Sequence, residues 1–111
     1  MKFNSQICTT REQSERLLEL GLKKETADMH YSTDHRGNVR QLWLLAYGDL
    51  HEDVQVHSLP AWSLHRLIEI VAQTKYPYRV ISKELPIYDA LCERIEWLIK
   101  EGYFPKEYLE E

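Results

Sequence analysis

The spacing of apolar positions changes several times along the chain, and each change predicts a new element. Two overlapping capping boxes of the form T-x-x-E/Q begin at Thr9 and Thr10, and Gly21 lies where a helix would end. This pattern predicts a helix over residues 10–20. A second stretch repeats apolar residues at the spacing of one helix face, at Leu64, Leu67, Ile68 and Val71. That spacing predicts a helix over residues 64–73.

A third helical pattern begins beside a proline and ends beside a glycine. Its apolar stripe consists of Ile87, Leu91, Ile95, Leu98 and Ile99. Pro86 suits the first helical position, because the N–H that proline lacks would have no partner there. Gly102 suits the end, because glycine adopts the left-handed conformation of a helix stop. The pattern predicts a helix over residues 86–101.

Between the first two helical patterns, the apolar residues follow the spacing of strands. Alternation around Tyr31, a glycine turn signal and an apolar run over residues 39–47 predict a β-hairpin. Alternation over residues 54–57 predicts a third antiparallel strand. After the second helical pattern, residues 78–81 predict a short fourth strand at the edge of the sheet.

The order of these elements predicts an α+β fold. We expect an antiparallel β-meander of three strands, or four with residues 78–81, and three main helices packed on it. The element order is α-β-β-β-α-β-α. The chain has 111 residues and contains no linker-like stretch, so we expect one globular domain over residues 1–111.

The run over residues 39–47 is apolar on both faces of its predicted strand. Strands of this kind are covered on both sides. The helices provide one cover, and the second is either a further helix or a second copy of the protein. Trp43, Leu45 and Tyr47 form one face of this strand and are the predicted interaction surface, for a homodimer or for another protein.

Composition argues against several classes of partner. The net charge of −4 opposes binding to nucleic acids and anionic membranes. No apolar run approaches the roughly 18 residues that span a bilayer, and the N-terminus lacks the apolar core of a signal peptide. The two cysteines, Cys8 and Cys92, are expected to be free thiols in a reducing compartment, so we predict a cytoplasmic protein.

Catalytic motifs are missing from the sequence. It has no P-loop, no G-x-S-x-G and no G-x-G-x-x-G, and its four glycines leave no phosphate-cradling loop. We therefore expect no cofactor and favour a protein without catalytic activity. His51 and His57 are the best candidates for metal ligands and would suit a small metal-dependent hydrolase. Solvated loop residues are the favoured interpretation of both.

One segment carries the residue types of a nucleic-acid contact. Basic and aromatic side chains alternate at Lys75, Tyr76, Tyr78, Arg79 and Lys83. Such side chains bind phosphates and stack on bases. The acidic net charge favours the alternative, an exposed connection whose aromatic rings pack on the edge of the core.

The most distinctive run is LPAWSLHRL, over residues 59–67. Ser63 suits a helix N-cap, and Trp62 before it and Leu67 after it suit a hydrophobic staple. A ligand platform built on Trp62 is the alternative, and the helix entry is favoured. Asp28 is the carboxylate expected to be partly buried, in a local turn or capping role.

Three segments resemble a known group of proteins: RLLELGLKKETADMHY, PAWSLHRLIEI and YDALCERIEWLIKEGY. The group consists of small uncharacterised proteins from phages and mobile elements of gut Bacteroidales. In that group an ETADM run precedes a variable β region, then a PAWSL-like run, then a helix containing DAL that ends in GY. The resemblance implies a bacterial or prophage cytosolic protein. It transfers no activity, cofactor or site residue.

Overall fold

The computed structural model describes residues 6–34, 36, 38–44, 46–55, 57–74 and 86–110. Within these residues the helices are α1 (Arg11–Glu19), α2 (Glu52–Gln55), α3 (Leu64–Ala72) and α4 (Ile87–Lys100). The strands are β1 (Met29–Thr33), β2 (Val39–Trp43) and β3 (Ser58–Ala61), and 3-10 turns lie at Lys24–Thr26, Tyr47–Asp49 and Lys106–Tyr108. Helices and an antiparallel sheet confirm the predicted α+β class. The predicted fourth strand, over residues 78–81, lies outside the described residues.

The first helix forms where the local signals place it. Of the two capping boxes, the one beginning at Thr10 forms. The Gln13 N–H donates to Thr10 Oγ1 at 3.2 Å, and the Thr10 N–H donates to Gln13 Oε1 at 2.9 Å. At the other end Gly21 has a φ of 97°, and the Leu22 N–H donates to Leu17 O at 3.1 Å. The predicted start and stop of this helix are therefore confirmed.

The observed strand order shows that the predicted meander is wrong. The sheet runs β2-β1-β3, so β1 is the central strand and β2 lies at an edge. The third strand does not lie at its predicted position, because Glu52–Gln55 form a short helix and the strand begins later, at Ser58. A meander needs a tight second hairpin beside β2. The long connection through the Tyr47–Asp49 turn and α2 instead carries the chain to the far side of β1.

β2 is also shorter than the predicted strand over residues 39–47. It ends at Trp43, and Tyr47 belongs to a 3-10 turn and is buried, with 6% of its surface exposed. The apolar residues of this run therefore belong to two different environments. Tyr47 enters the helical core, whereas the residues of β2 lie at the sheet edge.

The larger core lies between the helices rather than between the helices and the sheet. It is formed by buried side chains from α1, α3, α4 and the segments beside them, among them Leu17, Trp62, Leu67, Ile95, Leu98 and Phe104. A smaller cluster of Cys8, Met29 and Ala61 covers one face of the sheet. Helix α1 lies against β3 and joins the two regions.

Candidate functional site

The PAWSL run (residues 60–64) forms the entry to α3, as its helix interpretation predicts. Ser63 has extended backbone angles, and its Oγ accepts from the Arg66 N–H at 3.1 Å. Trp62 is fully buried, and Leu67 lies in the same cluster, as a hydrophobic staple requires. The distinctive residues of this run therefore start a helix, and the Trp62 side chain is buried in the protein.

Asp28, which lies 35 residues earlier in the chain, binds directly to the same helix start. Its Oδ1 accepts from the Ser63 N–H at 2.8 Å, and its Oδ2 accepts from the Ser63 hydroxyl. A helix N-terminus attracts anions, because its N–H groups lack partners and its dipole is positive there. The Asp28 carboxylate already lies at this end of α3. The predicted capping role is found, but the partner lies 35 residues away rather than in a local turn.

A second set of contacts ties Trp62 to two earlier segments. Trp62 Nε1 donates to Thr26 Oγ1 at 2.9 Å, and the Trp62 N–H donates to Thr9 Oγ1 at 3.0 Å. Thr9 Oγ1 also lies 2.7 Å from Ser14 Oγ, and both residues are buried. The ETADM run (residues 25–29) and the PAWSL run therefore bind each other directly. No short-range pattern in the sequence singled out Thr9 or Thr26 for this role.

The cap has a direct test. Ser63→Ala is expected to lower the free energy of unfolding by about 1–2 kcal/mol, because the Arg66 N–H loses its acceptor and Asp28 Oδ2 loses the hydroxyl donor. Urea denaturation followed by circular dichroism measures the loss. Ser32→Ala is a matched control, because the Ser32 hydroxyl makes a long 3.4 Å contact with Gln41 O, and about 0.5 kcal/mol or less is expected there. Equal stability of Ser63→Ala and the unmodified protein would contradict the capping role.

The two cysteines lie in environments that suppress their reactivity. Burial raises the pKa of Cys92 to about 12. Burial also raises the pKa of Cys8, although a hydrogen bond with Tyr31 opposes the increase. Cys8 Sγ lies 3.0 Å from Tyr31 Oη, and Tyr31 Oη donates to Thr9 O at 2.9 Å. Because the thiolate is the nucleophile, neither group has the environment of a catalytic cysteine.

Thiol labelling should reflect these environments. At mildly alkaline pH, Cys8 and Cys92 are expected to react with an aromatic disulfide reagent only after the protein is denatured, since burial keeps both protonated. Gln73→Cys, at an exposed position, supplies a positive control. Release of two equivalents of the aromatic thiolate per native protein chain within the mixing time would show that both thiols are accessible and would contradict this expectation.

The residues of the predicted interaction surface do not lie on one surface of the structure. Trp43 lies on the edge strand β2 with 46% of its surface exposed. Tyr47 is buried in the helical core, and Leu45 lies outside the described residues. Two further apolar residues, Val39 and Leu44, are exposed on β2 or directly after it, at 38% and 83%. The predicted surface left out both Val39 and Leu44, although both lie in the apolar run.

The candidate metal ligands are both exposed. His51 Nδ1 lies 3.5 Å from Asp53 Oδ2, at the start of α2. In the part of the chain that the structure describes, no group of three His, Cys, Asp or Glu side chains is placed to hold a metal ion. The candidate nucleic-acid contacts, Lys75, Tyr76, Tyr78, Arg79 and Lys83, all lie outside the described residues.

A cleft of about 670 Å³ lies between α3, the Lys24–Thr26 turn and the C-terminal segment. Its size suits a small molecule. The Arg66 guanidinium is held only in part: Nη1 donates to Thr26 O at 3.2 Å, whereas the buried Nε lies 3.5 Å from Glu69 Oε1 and makes no hydrogen bond. The charged lining is of both signs: Lys23, Glu25, Arg66, Glu69, Glu107 and Glu110. Four of these side chains are acidic and two are basic.

Comparisons with known proteins add no family to this description. No family model, no curated protein and no solved structure matches the chain. None of the helices among the described residues has the length and apolar character needed to cross a membrane.

Proposed function

We propose that this protein is a non-catalytic protein-interaction module that forms a homodimer through the edge of β2. The observation that supports this most directly is the exposure of three apolar side chains on β2 or directly after it: Val39, Trp43 and Leu44. Aromatic side chains are enriched at protein interfaces, and burying apolar surface is the main driving force of association. We call these three residues the β2 row.

The backbone of β2 gives further support. β2 pairs with β1 on one side, and in the three-stranded sheet of the described residues no strand lies on its other side. A strand edge carries N–H and C=O groups with which a strand of another chain can pair. Apolar contacts and backbone hydrogen bonds would then act at the same place.

Sedimentation velocity over a wide range of concentrations tests the proposal. The unmodified protein is expected to approach twice the mass of one chain. Trp43→Ser is expected to weaken the dimer by about thirtyfold, which corresponds to about 2 kcal/mol for a central interface tryptophan. A monomeric mass for the unmodified protein at every concentration would contradict the proposal.

The matched control for this variant is Trp97→Ser. Trp97 lies on α4 and is 42% exposed, close to the value for Trp43, so both variants remove a similar amount of exposed aromatic surface. Trp97→Ser is expected to leave the dimer constant unchanged. Equal weakening by both variants would assign the effect to general surface hydrophobicity.

The proposal includes a cytoplasmic, bacterial setting and an accessory role in a phage or mobile element. The resemblance of the ETADM and PAWSL runs supports this setting. Detection of the protein in fractionated cells of its source tests the location, and recovery with the membrane or periplasmic fraction would contradict it.

A further inference from the structure

We infer that the cleft between α3, the Lys24–Thr26 turn and the C-terminal segment binds a short basic peptide. Arg66 holds the terminal carboxylate of the peptide, and the surrounding glutamates hold its amino groups. The volume of about 670 Å³ falls within the range of about 300–1,000 Å³ that is typical of sites for small organic ligands. The described lining comes from residues 23–26, 66–73 and 107–110 rather than from β2, so this inference goes beyond the proposed dimer and does not depend on it.

Arg66 supplies the donor for an anionic group in this cleft. Its Nη1 donates to Thr26 O, but its buried Nε has no hydrogen bond among the described residues. A buried donor without a partner destabilises a protein until an acceptor satisfies it. A carboxylate is the acceptor that matches a guanidinium best, because its two oxygens accept from two parallel N–H groups.

The Glu69 carboxylate can give way to the carboxylate of a ligand. Its Oε1 lies 3.5 Å from Arg66 Nε, without a hydrogen bond, and lies closer to His65 Nε2, at 3.2 Å. The Glu69 side chain is half exposed, so its carboxylate can turn further towards His65. A ligand carboxylate that takes its place beside Arg66 then gives Nε the acceptor that the described residues do not provide.

The charge of the lining selects a ligand that carries more positive groups than negative ones. Its four acidic and two basic side chains leave an excess of two negative charges. The end of α3 adds to this excess, because the C-terminal end of a helix carries a partial negative charge and the C-cap residue, Gln73, lines the cleft. A simple anion such as phosphate is therefore disfavoured, whereas a carboxylate accompanied by several amino groups is attracted.

Amino groups on a flexible chain fit this lining better than a metal ion does. In the part of the chain that the structure describes, no three His, Cys, Asp or Glu side chains converge to hold a metal. Ile70 and Tyr108 lie among the charged residues of the lining, and the methylene groups of a lysine pack well on apolar surface. A lysine dipeptide carries three ammonium groups and one carboxylate, so its net charge balances the excess of the lining.

Two dipeptides test the inference on the unmodified protein. Lysyl-lysine is expected to bind with a Kd of about 100 µM in isothermal titration calorimetry, from the typical binding energy per non-hydrogen atom of a ligand. Lysyl-lysine amide has no carboxylate and one more net positive charge. It is expected to bind about tenfold more weakly, because Arg66 then gains no acceptor. Equal or tighter binding of the amide, or no binding of either dipeptide at millimolar concentration, overturns the inference.

Arg66→Gln tests whether Arg66 causes the preference for the carboxylate. The variant is expected to bind both dipeptides with similar affinity, about tenfold more weakly than the unmodified protein binds lysyl-lysine. Arg40→Gln is the matched control, because it removes an exposed arginine on β2, and it should keep the tenfold preference. A preference that persists in folded Arg66→Gln overturns the role of Arg66. If that variant fails to fold, the comparison of the two dipeptides on the unmodified protein decides.

A double variant tests the role of the glutamates. Glu107→Gln combined with Glu110→Gln is expected to weaken the binding of lysyl-lysine about fivefold, since exposed charge pairs each contribute little, and to keep the preference over the amide. Glu93→Gln combined with Glu101→Gln changes the net charge equally at exposed positions of α4 and its C-cap, and should leave binding unchanged. Equal weakening by both double variants, or equal affinity of the unmodified protein for glutamyl-glutamate and lysyl-lysine, overturns the selection of positive charge by the cleft.

Discussion

Trp62→Ala is expected to lower the free energy of unfolding by about 3–5 kcal/mol, the typical cost of truncating a buried aromatic residue. Trp62 has 0% of its surface exposed and is the largest of the fully buried side chains. Its removal leaves a cavity in the cluster that joins α1, α3 and α4. The lost hydrogen bond from Nε1 to Thr26 places the expected cost towards the upper end of this range.

Urea denaturation measures this loss, with Trp97→Ala as the matched control. Trp97 is 42% exposed, and its truncation is expected to cost about 1–2 kcal/mol, because the ring contacts Tyr103 and Arg94. Because domains are stable by about 5–15 kcal/mol, Trp62→Ala can lie close to the unfolding threshold. Trp62→Phe is then the informative variant, since it keeps most of the apolar volume and loses the Nε1 donor. Similar losses for Trp62→Ala and Trp97→Ala would show that Trp62 does not anchor the core.

Asp28→Ala is expected to cost about 2–3 kcal/mol, because hydrogen bonds to a charged group contribute more than neutral ones. The carboxylate accepts from both the N–H and the hydroxyl of Ser63. It also places a negative charge at the positive end of the α3 dipole. Asp28→Asn is expected to cost less, because an amide oxygen keeps one acceptor and only the charge and the second acceptor are lost.

A double-mutant cycle separates this contact from general effects at Asp28. Because Asp28 and Ser63 share one hydrogen-bonded unit, the loss in the double alanine variant should be smaller than the sum of the single losses, by about 0.5–3 kcal/mol. Asp49→Ala, at an exposed acidic position, is the control and is expected to change stability by about 0.5 kcal/mol or less. Additive losses would show that Asp28 acts independently of Ser63.

The helices were predictable because their signals act over short distances. The cap at Ser63 and the glycine stop at Gly21 involve bonds between residues a few positions apart. The periodicity of α3 and α4 likewise depends only on neighbouring turns. For this reason the positions of α1, α3 and α4 and the α+β class follow from the sequence, and the structure confirms them, whereas the short helix α2 was not predicted.

The strands show where local patterns are insufficient. Residues 54–57 alternate as a strand would, yet Glu52–Gln55 form a helix and the strand is Ser58–Ala61, which contains Pro60. Proline is tolerated because β3 is an edge strand. The choice between β1 and β2 as its neighbour depends on contacts between residues far apart in the chain.

The candidate site also has features that the sequence predicts and contacts that only the structure shows. Sequence patterns identify Ser63 as a cap and Asp28 as a partly buried carboxylate, because each has a recognisable short-range setting. Their contact with each other joins positions 35 residues apart. The alternation of Trp43 and Tyr47 also predicts one shared face, but the strand ends at Trp43 and the Tyr47 ring enters the helical core.

Local sequence was therefore enough for the boundaries of α1, α3 and α4, for their caps and for the fold class, since these depend on propensities and bonds within a few residues. Long-range packing settled the strand order, the exposure of the β2 row and the binding of the ETADM run to the PAWSL run. Those features depend on which distant surfaces bury one another. Many arrangements satisfy the same local periodicity, and the burial of Trp62 and the pairing of β1 with both neighbours select one of them.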